Sequence, residues 1–135
     1  MVVLMTRSLL VAFALALVSV SVRSWSAGQP EPPRPEQTVD VAAERFSFTP
    51  SEIKTTVGTT LTIRLTSDDT AHGFRIIGTE LNVEIPKRGR GATTVTFTPE
   101  KPGRYTFECS RLCGAGHSFM RGVIVVADAP TKDER

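Results

Sequence analysis

Sulfur and imidazole donors are scarce in this sequence, which has only two cysteines and two histidines in 135 residues. Helical periodicity is missing too. No segment after residue 38 repeats its apolar residues every 3.6 positions, which excludes a helical bundle for that part of the chain. Nor do lysines and arginines cluster into the basic footprint of a nucleic-acid binder, so no nucleic-acid partner is expected. The formal charge of +2 does not supply one: setting aside Arg7 and Arg23 leaves 14 basic residues against 14 acidic ones. Internal repeats are absent.

Residues 1–26 contain no acidic residue. Within them SLLVAFALALVSVSV, residues 8–22, lies between Arg7 and Arg23. A basic start followed by a short apolar run is the pattern of a secretory leader, whereas a full membrane span wants about 20 apolar residues. Residues 1–27 are therefore expected to be a signal peptide or, uncleaved, a single membrane anchor through residues 8–22. Either outcome exports the rest of the chain, to the periplasm or the outer face of the cytoplasmic membrane. The lack of cysteine here excludes a lipid-anchored bacterial leader. GQPEPPRPEQ, residues 28–37, holds four prolines and reads as an extended, semi-rigid linker. Residues 38–128 have the size of one small domain, and residues 129–135 form a polar tail.

That domain reads as strands. Leu61, Ile63 and Leu65 alternate with polar neighbours, as do Val95 with Phe97, and Tyr105 with Phe107 and Cys109. A period of two means half-buried strands with one face on a core. GVIVVA, residues 122–127, is a more continuous apolar run, as a central strand would be. Turn signals fall at Thr49-Pro50-Ser51, Val57-Gly58, Lys87 to Gly91 and Pro99 to Gly103. Seven or eight short strands predict an all-β antiparallel sandwich with Greek-key connections.

Against this background one stretch stands out: CSRLCGAGHSFM, residues 109–120. It gathers both cysteines, His117 and Met120 into a loop between two strands. Four readings compete for it. A Cys109–Cys113 disulfide suits an exported protein, but leaves His117 and Met120 as bystanders and closes too short a loop to stabilise much. Tetrahedral zinc accepts thiolates and imidazoles, yet the spacing is not that of paired zinc ligands and methionine has no role. A mononuclear blue-copper site would use Cys113, His117 and Met120 together with His72, the only other histidine, and would leave Cys109 spare. Two copper ions bridged by both thiolates, each ion with one imidazole and Met120 as a weak ligand, would use every donor. His72, in TSDDTAHGF, is expected in a loop just after a strand, at the end of the sandwich where it meets the 109–120 loop.

CSRLCGAGHSFM resembles the dinuclear copper A loop of cytochrome c oxidase subunit II, C-x3-C-x3-H-x2-M, a loop found also in nitrous-oxide reductase. The resemblance extends over about residues 43–127, through RFSFTPSEI, SDDTAHGF, PGRYTFEC and RGVIVV. It implies a cupredoxin-like sandwich. By position, Cys109 and Cys113 would bridge, His72 and His117 would be the terminal imidazoles, Met120 a weak axial ligand, and the backbone carbonyl of Arg111 the remaining ligand. In mitochondrial-type oxidases the position of Arg111 is usually glutamate, whose side chain reaches a magnesium ion; the arginine keeps the carbonyl but not that second site. The common subunit II also has two membrane helices and an aromatic surface for its donor, whereas the only tryptophan here, Trp25, lies in the leader. The resemblance is thus to a minimal subunit II or a free periplasmic relative. It implies electron transfer from a cytochrome c to a terminal heme-copper oxidase, with subunit I as a partner and no catalysis by the isolated chain. The rival classes are a stand-alone blue-copper carrier and a copper-delivery chaperone. Chaperones with a C-x3-C pair and a distant histidine have a thioredoxin-like α/β fold, which the missing helical period argues against.

Overall fold

The computed structural model describes residues 33–130. The expected leader, residues 28–32 of the expected linker and the last residues of the tail lie outside them. Nine strands follow in chain order: β1 Glu36–Glu44, β2 Ser47–Thr49, β3 Glu52–Thr56, β4 Thr60–Ser67, β5 His72–Ile76, β6 Asn82–Ile85, β7 Thr93–Phe97, β8 Gly103–Glu108 and β9 Arg121–Ala127. A single 3-10 turn, His117–Phe119, is the only helical element among the described residues, which rules out the thioredoxin-like alternative for them. No described helix is long and apolar enough to cross a membrane.

The strands form two sheets, β2-β1-β4-β7 and β3-β9-β8-β5-β6. Their alternation produces the sandwich directly. In β4, Leu61, Ile63, Leu65 and Ser67 are buried while Arg64 faces solvent; each large aliphatic side chain so buried contributes about 1.5–3 kcal/mol. β9, the continuous apolar run, lies inside its sheet between β3 and β8. Three rings join the sheets: Phe48 of β2 packs edge-on against Phe74 of β5 and Phe107 of β8, with centroids 5.9 and 5.3 Å apart. This aromatic floor lies in the same buried core as both cysteines and Met120.

The expected sandwich holds, but its antiparallel pairing is corrected in two places. β1 pairs with β4, and β3 with β9, in parallel. The chain leaves the first sheet after β2, runs β3 in the second, and returns in β4 along the direction of β1. Such a crossover between sheets makes a parallel neighbour without a helix. The strand β1 also begins inside the proline-rich stretch, at Glu36, and the carbonyl of Pro35 accepts a bond from Thr60 N–H at 2.8 Å.

Candidate metal centre

Three chain segments meet at one end of the second sheet. β5 opens with His72, β8 ends one residue before Cys109, and β9 begins one residue after Met120. Since β8 runs antiparallel to both β5 and β9, the start of β5, the end of β8 and the start of β9 fall together. A bond from Cys109 N–H to the Met120 carbonyl, 3.0 Å, closes the base of the 109–120 loop. Inside it, His117 N–H bonds the Gly114 carbonyl and Phe119 N–H the Gly116 carbonyl, which makes the 3-10 turn. His72 is not in a loop as expected but is the first residue of β5, because its pairing with Ile85 draws it into the ladder.

The two sulfurs form the middle of the site. Cys109 Sγ and Cys113 Sγ lie 3.9 Å apart, both residues are buried, and both thiols are free. Beside Cys109 Sγ stand His72 Nδ1 at 3.9 Å and the Arg111 carbonyl oxygen at 3.1 Å. Beside Cys113 Sγ stand His117 Nδ1 at 3.7 Å and Met120 Sδ at 3.9 Å. Each sulfur therefore has one imidazole nitrogen and one weak donor. The ligand atoms of His72, Cys109 and Cys113 all fall within 4.8 Å of one another. His72 and Met120 are fully buried, whereas His117 is half-buried.

The electrostatics fix how His72 points. Asp69 Oδ1 lies 2.7 Å from His72 Nε2. Burial works to raise the Asp69 carboxyl, but the bond from His72 and those from the backbone of Thr70 and Arg45 outweigh it and hold it below its ordinary value. An ionised Asp69 places the imidazole proton on Nε2, which leaves the Nδ1 lone pair facing Cys109. Burial, reinforced by Cys109 alongside, pushes the Cys113 thiol up to about 11. The metal-free thiol therefore keeps its proton near neutrality, and a bound metal displaces it.

This donor set fits copper. Metal–thiolate bonds run about 2.3 Å and metal–imidazole bonds about 2.0 Å, so a sulfur and a nitrogen 3.7–3.9 Å apart can share one ion. Thiolate and thioether are soft ligands and imidazole serves either oxidation state of copper. Oxygen-loving ions would find only one carbonyl.

Several residues around the site were not singled out from the sequence. Asp69 is one of them, and its position three before His72 was the available signal. Arg45 N–H donates to Asp69 Oδ2 at 3.2 Å, and its side chain lies 3.6 Å from the same oxygen. Next to it, the Phe46 ring lies against the loop: a Cβ at Gly114 or Gly116 would run into that ring. The β1–β2 turn thus touches both halves of the site, through Asp69 on the His72 side and through Phe46 on the His117 side. Two glycines so close together were the trace of Phe46 in the sequence.

The chain matches the cupredoxin-like domain over residues 9–126. It is 38% identical over 93 residues to two forms of cytochrome c oxidase subunit 2 from Thermus thermophilus, covering 69% of this chain and 67% and 54% of the two relatives. The chain belongs to the cupredoxin-like family, in its cytochrome c oxidase subunit 2 branch. Among solved structures, this cupredoxin resembles a chain of a heme-copper terminal oxidase dimer, with 30% identity, a TM-score of 0.60, and coverage of 73% of this chain and 75% of the other. The periplasmic domain of subunit II of cytochrome oxidase from Bradyrhizobium japonicum shares the fold, at 20% identity and a TM-score of 0.63 over 76% and 89% of the two chains. So does auracyanin A, a blue copper protein from Chloroflexus aurantiacus, at 20% identity and a TM-score of 0.55 over 68% and 99%.

Proposed function

We propose that this cupredoxin is a dinuclear copper A electron carrier, the subunit II-like component of a terminal heme-copper oxidase, taking single electrons from a cytochrome c. The observation that carries the reading is the matched pair of donor sets. Cys109 has His72 and the Arg111 carbonyl beside it, and Cys113 has His117 and Met120, which suits two ions held between two sulfurs. A single ion would leave one set idle. Copper held by these residues would supply one-electron chemistry, and an electron shared between two ions would leave each little changed on reduction.

The chain's own share is to keep these donors still. His72 is held by a strand register and a carboxylate, and the loop is closed at its base by the Cys109–Met120 backbone bond. Ligands that move little keep the rearrangement cost of electron transfer low. The partners' approach falls to the loop surface, where Leu112 and Phe119 are 80% and 83% exposed. The leader or anchor expected over residues 1–27 would put this surface on the periplasmic side. Any catalytic label would belong to the complex.

Copper count per chain, taken with the electron paramagnetic resonance spectrum of the copper-loaded protein, tests the reading. Two coppers sharing one electron are expected. One copper with a single-nucleus hyperfine pattern would replace the reading with a blue-copper carrier in which Cys109 is spare. Copper that passes readily to an acceptor protein would make it a delivery protein instead.

A further inference from the structure

Of the donors around the two sulfurs, the Arg111 carbonyl alone belongs to the backbone, so its aim depends on whatever holds the Ser110–Arg111 segment. The β5–β6 hairpin touches that segment at three points. Gly73 of β5 lies against its main chain: a Cβ there would sit 2.7 Å from Arg111 N and 2.9 Å from Ser110 N, closer than side-chain carbons approach. Ser110 Oγ donates to Asn82 Oδ1 of β6 at 2.7 Å. The Arg111 guanidinium pairs with the Glu84 carboxylate, also on β6. Gly73 and Glu84 are partners in the β5–β6 ladder, so these holds converge from adjacent positions. Gly73 N–H also donates to Cys109 Sγ at 3.4 Å, which ties the same strand to the sulfur that the carbonyl faces.

We propose that Gly73, Asn82 and Glu84 are positioning residues for the metal centre, which hold the Arg111 carbonyl over Cys109 and so set the difference between the two sides of the copper pair. The proposal rests on the dinuclear reading above. A purely structural role predicts something else. β6 is an edge strand, and the Arg111 and Glu84 side chains are 51% and 61% exposed. Exposed ion pairs add little to stability. Removing these contacts should therefore leave the fold alone and move the centre, a separation that general loosening would not produce.

The test uses the copper-loaded full-length protein in three further forms: Asn82→Ala with Glu84→Gln, Gly73→Ala, and the charge exchange Glu84→Arg with Arg111→Glu. Copper hyperfine splitting, reduction potential and the melting temperature of the metal-free protein are read for each. In the Asn82/Glu84 double variant, hyperfine splitting and potential are expected to shift while copper count and melting temperature hold. Gly73→Ala, which pushes the segment off the strand, should shift both further. The charge exchange should bring them back toward the parent values. Spectra and potentials that superimpose on the parent in the first two forms would overturn the proposal, as would a melting temperature that falls in step with the shifts in the double variant. A parent protein without the coupled two-copper signal would mean instead that the dinuclear reading has failed, and the proposal with it.

Discussion

The two halves of the centre are built in opposite ways. The His72 half belongs to a strand: the ring is fully buried, its Nε2 is held by Asp69, and its backbone pairs with Ile85. The His117 half belongs to a loop: the ring is half-buried, no side-chain oxygen braces it among the described bonds, and the backbone around it rests on the Phe46 ring through two glycines. One half is fixed by directional bonds and the other by close packing. The difference teaches where an outside molecule can reach the donors. The His72 ring is fully buried, while His117 lines a cleft of about 250 Å³ together with Cys109, Arg75, Glu108 and Arg121.

The severest way to break the comparison is to remove what the halves share. On the dinuclear reading proposed above, Cys113→Ser takes a shared ligand from both sets and should reduce the copper count from two to at most one, with loss of the coupled spectrum. Two coupled coppers in that variant would strip Cys113 of its place between the halves. A subtler break asks whether each imidazole can be replaced from solution. His117→Gly opens onto the cleft, so added imidazole should restore much of the coupled signal. His72→Gly leaves its hole inside the core, and the same imidazole should restore none. Equal rescue of the two variants would mean that burial does not shield the position of the His72 ring.

Much of this was legible in the sequence, for reasons that lie in particular residues. The alternation of Leu61, Ile63 and Leu65 is a local property of a strand with one wet face, and it was enough to place β4 and, by the same logic, β7 and β8. The candidate loop donors were legible because four of them fall within twelve residues. The parallel partners of β1 and β3 were not, since a pairing between Glu36 and Thr60, or Glu52 and Val123, leaves no mark in either segment alone. Phe46, Asn82 and Glu84 were missed for the same reason: each meets the centre across more than twenty residues of sequence. His72 was singled out as a candidate donor by scarcity, but its strand position depends on Ile85, ten or more residues on.

A smaller effect sharpens the directional side of the comparison. Asp69→Ala removes the oxygen that orients His72 and frees Arg45 from its acceptor, without touching a sulfur. Loss of an oriented carboxylate behind a metal-binding imidazole lowers metal affinity by about 10–100-fold. Copper competition with a chelator of known affinity measures it. An unchanged affinity would show that the buried walls around His72 hold the ring without help, and that bonding and packing are not divided between the halves as described.

The smallest expected effect concerns the open half and its partner. Arg111 pairs with Glu84, while Arg75 and Arg121 both lie against Glu108, so the charges around the loop are matched close by. Long-range steering needs a field of one sign, and where it operates it raises association rates by about 10–10³-fold at low salt. In the proposed encounter the exposed Leu112 and Phe119 would provide the contact instead, without the salt dependence that charged rims bring. Electron transfer from a cytochrome c should accordingly fall by less than about tenfold, the lower end of the steering range, between low and moderate salt. Phe119→Ala should slow the same reaction while leaving the copper spectrum as it was. A rate that collapses with salt and ignores Phe119 would move the encounter off this loop, and the open half would be open for some other reason.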